Sequence, residues 1–341
     1  MQRTAAASLA LSALLCCAAH GESCVGDVDL DGRVAAQDLV LLLGDWARPA
    51  SAGLSTDIDG DGIVGADDLV LLLNAWDTCV KVPAWAEVLE PAPNAAVVTS
   101  PSLRAAISAT GLAWRVRDRG TGMELVLVPP GTFMMGASVG DALAFSEESP
   151  RHAVTISRPY YMGRYEVTQP QFAGVMGYNP SYFSDPTDPP RPVETVAFQP
   201  VAVFCARAGF RLPTEAEWEY ACRAGTTEPD YAPAGMLLDD IAWYGPNSGY
   251  VTHPVGQRAC NALGLHDMLG NVWEWCKDWY DPGFYAVSPA SDPTGPEAGY
   301  LRIIRGGSWY APESNTRASF RGAIWPEATF GDTGFRVVRN P

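Results

Sequence analysis

Carboxylates recur at one spacing in two places along the chain. Asp27, Asp29 and Asp31 stand at positions one, three and five of a stretch closed by Asp38, and Asp57, Asp59 and Asp61 repeat the pattern 30 residues on, closed by Asp68. Gly32 or Gly62 fills position six, where a loop wrapping an ion must turn sharply, and Arg33 or Ile63 at position seven offers its carbonyl oxygen. This is an oxygen ligand set for Ca²⁺. Two copies in register, each with an acid at position twelve, set it apart from an acidic surface turn. Without an ion, carboxylates crowded this way repel one another. Both loops run into Leu-Val-Leu-Leu-Leu, which predicts two short helices, Asp38 to Trp46 and Asp68 to Trp76. Helices of that length are marginal alone and should depend on the ion and on each other.

The rest of the chain bounds what such a segment serves. The 341 residues carry a formal net charge of −16, and residues 22–79 hold 12 carboxylates against Arg33 and Arg48 alone. No run of Lys and Arg occurs, so no nucleic-acid partner is expected. Arg3, the apolar stretch from Ala5 to Ala19 and the small residues up to Gly21 read as a signal peptide over residues 1–21. That stretch falls short of the ~20 residues of a bilayer span. The expectation is a protein secreted or held at the cell surface, with no transmembrane span after signal removal. Cys24, Cys79, Cys205, Cys222, Cys260 and Cys276 then remain, and Cys24 with Cys79 is the favoured disulfide because the two bracket the acidic segment.

Pro83, Pro91, Pro93 and Pro101, among residues of little periodicity, predict a semi-stiff linker over 81–120, with a short helix from Ser102 to Thr110. Met123 to Val128 is a plausible first strand of a larger domain over 121–341. Beyond residue 120 the apolar runs are short and separated by turn signals, which argues for an α+β domain with much irregular loop. Thr214 and Glu217 have capping-box spacing and open a helix that buries Trp218, Ala221 and Cys222.

Two resemblances follow from these residues. Asp at position twelve, with a single helix after each loop and no full helix before it, resembles the type I dockerin repeat over 22–80, a small all-α module. That resemblance implies a cohesin-like scaffold partner, met around Ala36-Gln37 and Ala66-Asp67. Those positions lack hydroxyls, so a docking module and a calcium-stiffened spacer both stay open. The second resemblance rests on Pro129-Pro-Gly-Thr-Phe-Met-Met-Gly136, Glu166-Val-Thr-Gln169, Arg211-Leu-Pro-Thr-Glu-Ala-Glu-Trp-Glu-Tyr220, Gly264-Leu-His-Asp-Met-Leu-Gly-Asn-Val-Trp-Glu-Trp275, Arg305-Gly-Gly-Ser-Trp309 and Gly334-Phe-Arg-Val-Val338. In this order they resemble the formylglycine-generating-enzyme (sulfatase-modifying factor) family, which implies a C-type-lectin-like fold. Active members of that family oxidise a sulfatase cysteine with copper held by two cysteines just after the Gly-Gly-Ser motif. Here the matching positions are Ala311 and Thr316, which offer no thiolate, so copper is not expected. The resemblance also implies a calcium site from Asp267 and Glu274 side chains and the Gly270 and Val272 carbonyls; the alternative is that Glu274 pairs with an arginine.

Other engines are lacking. His152, His253 and His266 have no metal-ligand spacing, and no nucleophile elbow or phosphate loop occurs. Trp273, Ser308 and Trp309, with Arg317 and Arg321, form a candidate cleft for a carbohydrate or peptide ligand, although buried arginines also satisfy acids and carbonyls, and tryptophans also fill cores. The expectation is a secreted calcium-binding protein whose large domain binds a ligand or protein without catalysis. Its dockerin-like module would tether it to an extracellular assembly, in polysaccharide breakdown. The alternative is an enzyme, either a formylglycine-generating oxidase by an unusual route or another reaction in the same cleft.

Overall fold

A computed structural model describes residues 22–28, 34, 36–48, 56–74, 80–184, 189–233 and 235–341. Asp29, Asp31, Arg33 and Cys79 lie outside the described residues, as does the predicted signal peptide. The chain divides into two compact units, one of residues up to Asn94 with Ile107–Gly120 and Pro341, the other of Ala95–Ala106 with Thr121–Asn340.

In the first unit two helices, Ala36–Gly44 and Ala66–Asn74, begin two residues earlier than the loop pattern predicts. Leu42 and Leu72 of the Leu-Val-Leu-Leu-Leu runs are fully buried and pack with Val28, Val34 and Val64, so the two copies share one small core. Ala47 N donates to Val64 O (2.8 Å) and Val64 N to Arg48 O (3.3 Å), which ties the exit of the first helix to the second loop. Val40, Leu43, Val70 and Leu73 are left at least half exposed.

This unit departs from the all-α module expected. Strand β1 (Glu22–Val25) pairs antiparallel with β2 (Val80–Pro83), from Glu22 against Pro83 to Val25 against Val80, so the two ends of the acidic segment are zipped by backbone. Nor is 81–120 a linker. It holds β2, β3 (Ala86–Glu90), a helix Pro101–Ser108 and β4 (Arg115–Asp118), with β3 and β4 paired antiparallel. Pro83 ends a strand, Pro91 follows one and Pro101 opens a helix, positions where a missing N–H costs little. The prolines punctuate ordered elements.

The second unit is mixed α/β. β5 (Glu124–Val128), where a first strand was predicted, pairs with β8 (Tyr160–Gly163), and β13 (Val338–Arg339) pairs with the other edge of β8. β6 (Gly131–Met135) and β7 (His152–Ile156) form a hairpin. A four-stranded sheet in the order β11 (Gly322–Ile324), β10 (Arg302–Arg305), β9 (Trp273–Trp279), β12 (Thr333–Gly334) carries the quoted motifs side by side. Helix Glu215–Arg223 starts as the sequence predicts: Thr214 Oγ1 accepts from Glu217 N (3.1 Å), and the Glu217 carboxylate accepts from Thr214 N (2.9 Å). Its inner face buries Trp218, Ala221 and Cys222, together with Glu215 and Glu219.

Candidate functional site

β10 ends at Arg305, and Gly306 and Gly307, both at positive φ, turn the chain into Ser308 and Trp309. A Cβ on Gly307 would lie 2.8 Å from Thr316 Oγ1, so the turn requires glycine for space as well as for conformation. Buried Ser308 donates from Oγ to Asp332 Oδ2 (2.9 Å), and Trp309 Nε1 donates to Gly331 O (2.9 Å). These bonds tie the turn to the segment before β12. Trp273, Ile304, Trp309, Tyr310, Phe330 and Asp332 then help to line a groove of about 440 Å³. Its wall is aromatic with one acidic point, and burial raises the Asp332 pKa above the ordinary value while Ser308 and Thr333 hold it back. Such a surface suits an apolar side chain or the face of a sugar ring.

Of the three residues the sequence placed in one cleft, Trp273 and Trp309 line this groove, whereas Ser308 is fully buried behind it and touches the lining through Asp332. Arg317 and Arg321 are elsewhere. Arg317 Nη1 donates to Asp141 (2.6 Å) and Glu148 (3.0 Å), and Arg321 Nε to Glu215 (2.7 Å); both arginines, Glu148 and Glu215 are buried, and the Asp141 side chain is only 4% exposed. A guanidinium withdrawn from water must be paired, and acids far away in sequence reach it, so neither arginine offers charge to a ligand. Phe330 and Asp332 were missed; a usable signal is the Gly-Asp turn placed immediately before the Thr-Gly-Phe motif.

Ala311 and Thr316 flank the 3₁₀ turn Glu313–Asn315. Both are buried, and Thr316 Oγ1 donates to Pro312 O (3.0 Å). A methyl group and a committed hydroxyl are no ligands for Cu(I). Cys205, Cys222, Cys260 and Cys276 are free thiols that do not line the groove. The residues present do not fit copper.

For calcium the second acidic loop does fit. Asp57, Asp59 and Asp61 bring ligand oxygens within 4.8 Å of one another, the one such acidic, histidine or cysteine group among the described residues. Asp57 Oδ1 accepts from Gly60 N (3.0 Å), Asp59 Oδ1 from Asp61 N (3.0 Å) and Asp61 Oδ1 from Ile63 N (2.8 Å), so the loop curls around its own carboxylates. Asp68 accepts from Ile58 N (2.6 Å) and Gly65 N (2.7 Å), and Asp38 accepts likewise from Val28 N (2.6 Å) in the first copy, whose Asp27 is buried. Partial burial, and then the charges of Asp68, Asp61 and Asp57, hold the Asp59 pKa above its ordinary value.

At the second implied calcium site the structure favours the alternative. Glu274 Oε1 accepts from Arg336 Nη2 (2.8 Å) and Oε2 from Trp218 Nε1 (2.7 Å), so both oxygens are taken. Asp267 Oδ2 accepts from Gly256 N (2.6 Å), and Val272 N donates to Glu166 Oε1 (3.0 Å). Gly270, at positive φ, lies against the Trp243 backbone. Arg336 is the guanidinium set among Glu166, Asp267 and Glu274, all buried. Burial, and then the Asp267 and Glu274 charges, push Glu166 well above the usual carboxylate range, and burial lifts Asp267 to about 6.

A further buried acid makes a pH test. Burial, then the neighbouring Glu215 charge, raises Asp278 to about 8, although its Oδ2 accepts from Glu215 N (2.9 Å). The unfolded chain loses this proton near the ordinary value of about 4, whereas the folded chain keeps it to about 8. Stability is therefore lost as pH rises through that window, by about 1.4 kcal/mol per pH unit at most. Asp278→Asn has no such proton to lose. Its stability relative to the unsubstituted chain, from urea melts, should rise by roughly 2–3 kcal/mol between about pH 5 and pH 7.

The signature of the sulfatase-modifying factor enzyme 1-like domain matches residues 113–341. The chain belongs to that family. The sulfatase-modifying factor domain is similar to the formylglycine-generating enzyme of Thermomonospora curvata, 33% identical over 285 residues, a match covering 64% of this chain and 93% of the relative. It is also similar to the chaperone protein LppX of Paenibacillus barcinonensis, 32% identical over 274 residues, covering 64% of this chain and 89% of the relative. Among solved structures, PvdO from Pseudomonas aeruginosa superposes with a TM-score of 0.59 at 29% identity, covering 67% of this chain and 98% of PvdO. The match begins inside the stretch predicted as a linker and takes in β4. Among the described residues, no helix is long and apolar enough to cross a membrane.

Proposed function

We propose that this chain is an exported, calcium-loaded binding protein whose sulfatase-modifying factor domain holds an extended peptide or a sugar in the Trp273–Trp309 groove without oxidising it. The observation that carries this reading is the pairing of a kept groove with Ala311 and Thr316 at the copper-ligand positions. A family relative named a chaperone is consistent with binding in place of turnover. The dockerin-like loops take two Ca²⁺ ions and tether the protein to a cohesin-like scaffold in an extracellular assembly, in polysaccharide breakdown. Support for that part comes from the converging Asp57, Asp59 and Asp61 carboxylates and from the apolar faces left open on helices 36–44 and 66–74. Asp267 and Glu274 are the weaker calcium candidates, since Arg336 already neutralises Glu274.

The experiment has two arms. Calorimetric titration of the mature chain should show tight Ca²⁺ uptake, reduced by one ion in Asp59→Asn/Asp61→Asn. Incubation with copper and a Cys-x-Pro-x-Arg peptide should show no aldehyde by mass spectrometry. Turnover would establish the second reading, an oxidase working by an unusual route, which the similarity to formylglycine-generating enzymes favours.

A further inference from the structure

A second cavity, of about 320 Å³, lies in the second unit and shares no lining residue with the groove. Strand β6 gives it Phe133, the end of helix Glu215–Arg223 gives it Tyr220, and the two rings sit 5.3 Å apart, tilted by 50°. Leu103 and Leu263 add apolar wall, and Arg151 and Arg223 bring positive charge.

The two arginines differ in one respect. Arg223 is neutralised by Glu219 (2.8 Å) and donates further to Gly136 O (2.7 Å). Arg151 has no carboxylate and no hydrogen bond among the described residues, and its Nε is sealed from solvent with no acceptor. Arg151 is half-buried, and its sealed Nε–H carries an unmatched desolvation cost, which an anion entering the cavity beside it would offset. The protein supplies no competing acceptor from the helix end. Tyr220 O accepts from Ala224 N (3.1 Å) and Arg223 O from Thr226 N (2.9 Å), while Asn261 Nδ2 bonds Ala221 O (2.7 Å) and Cys222 O (3.1 Å). The negative end of the helix dipole is thus closed off inside the protein.

We propose that this cavity is a binding site for a small organic anion, one aromatic ring carrying a single short acidic group, with the ring against Phe133 and Tyr220 and the oxyanion on Arg151. The volume lies at the small end of ligand pockets, about 300–1,000 Å³, which suits one ring and a short acid. Gly131 lets the Tyr220 ring take its place in the wall, because a Cβ there would come within 2.3 Å of the Tyr220 hydroxyl.

The test uses calorimetry and ligand-observed NMR on the mature chain with phenylacetate, phenyl sulfate, neutral 2-phenylethanol and inorganic sulfate. Either aromatic anion should bind about tenfold more tightly than phenylethanol or sulfate, and the stronger of the two identifies carboxylate or sulfate ester as the natural group. Arg151→Gln should abolish that preference while leaving phenylethanol binding unchanged, and Tyr310→Ala in the groove should leave both unchanged. Equal binding of phenylethanol and the anions by the unsubstituted chain overturns the proposal without any variant. So does a preference that survives Arg151→Gln, or one lost in Tyr310→Ala.

Discussion

Replacing Arg305 with methionine is expected to cost the sulfatase-modifying factor domain about 3–5 kcal/mol, a large part of the roughly 5–15 kcal/mol that holds an ordinary domain together. The Arg305 side chain is fully buried on β10. It donates to Glu219, to Ala318 O (2.9 Å) and to Phe320 O, and it lies 3.9 Å from Glu215. Glu219 shares its charge with Arg223, and Glu215 shares its charge with Arg321. Three guanidinium groups and two carboxylates are therefore closed inside one domain. Burial alone would raise Glu215, but Arg321 and Arg305 together take it below the usual carboxylate range.

Removing Arg305 leaves Glu219 short of a partner and two loop carbonyls without donors, and each loss adds its own desolvation cost. Glu219→Gln in the same background should recover part of the loss, because the remaining carboxamide is cheaper to bury than a half-paired carboxylate. The double-mutant cycle, from urea melts of the four proteins, should give a coupling above about 1 kcal/mol. An Arg305→Met protein within about 1 kcal/mol of the unsubstituted chain would show that the network is replaceable by packing, as some buried ion clusters are.

That network marks where sequence reading stops. The four arginines Arg305, Arg317, Arg321 and Arg336 are close together in sequence, but the acids that claim them, Asp141, Glu148, Glu215, Glu219 and Glu274, lie 62 to 176 residues away. Spacing along the chain carries no information on such pairs. One local clue existed: Glu215 and Glu219 sit four apart on the face that also buries Trp218 and Cys222, and buried acids need cations. Features governed by neighbours in sequence were legible. The Thr214 cap and the second acidic loop with its helix each depend on a few consecutive residues, and the order of the family motifs was enough to name the family. The stretch 81–120 misled for a related reason. Its prolines mark the ends of short strands whose partners are set by backbone pairing, as in Lys81 against Cys24 and Glu87 against Arg117, which composition does not reveal.

The second large effect expected is a gain. If the missing copper ligands are two side chains alone, Ala311→Cys/Thr316→Cys should add uptake of one Cu(I) ion per molecule to whatever the unsubstituted chain shows. The site favours this outcome. Ala311 N is held by Ser308 O (3.0 Å), and Thr316 N by Glu313 O (3.0 Å), so the backbone of the turn is fixed by bonds that neither substitution removes. Cysteine is close in volume to both residues it replaces, and the one bond lost is that from Thr316 Oγ1 to Pro312 O, worth about 1 kcal/mol. Thiolates select Cu(I), and a ligand pair in a largely buried turn loses little entropy on binding. Uptake is read by competition with a chromophoric Cu(I) chelator, and a single Cys variant serves as the control, expected to bind at least tenfold more weakly. Oxidation of the Cys-x-Pro-x-Arg peptide by the double variant would then show that the groove lined by Trp273 and Asp332 still accepts such a substrate. Copper uptake without oxidation would show that the groove has been reshaped for binding. Uptake no better than in the single variant would mean that the backbone of the turn, as well as its side chains, does not fit a copper geometry.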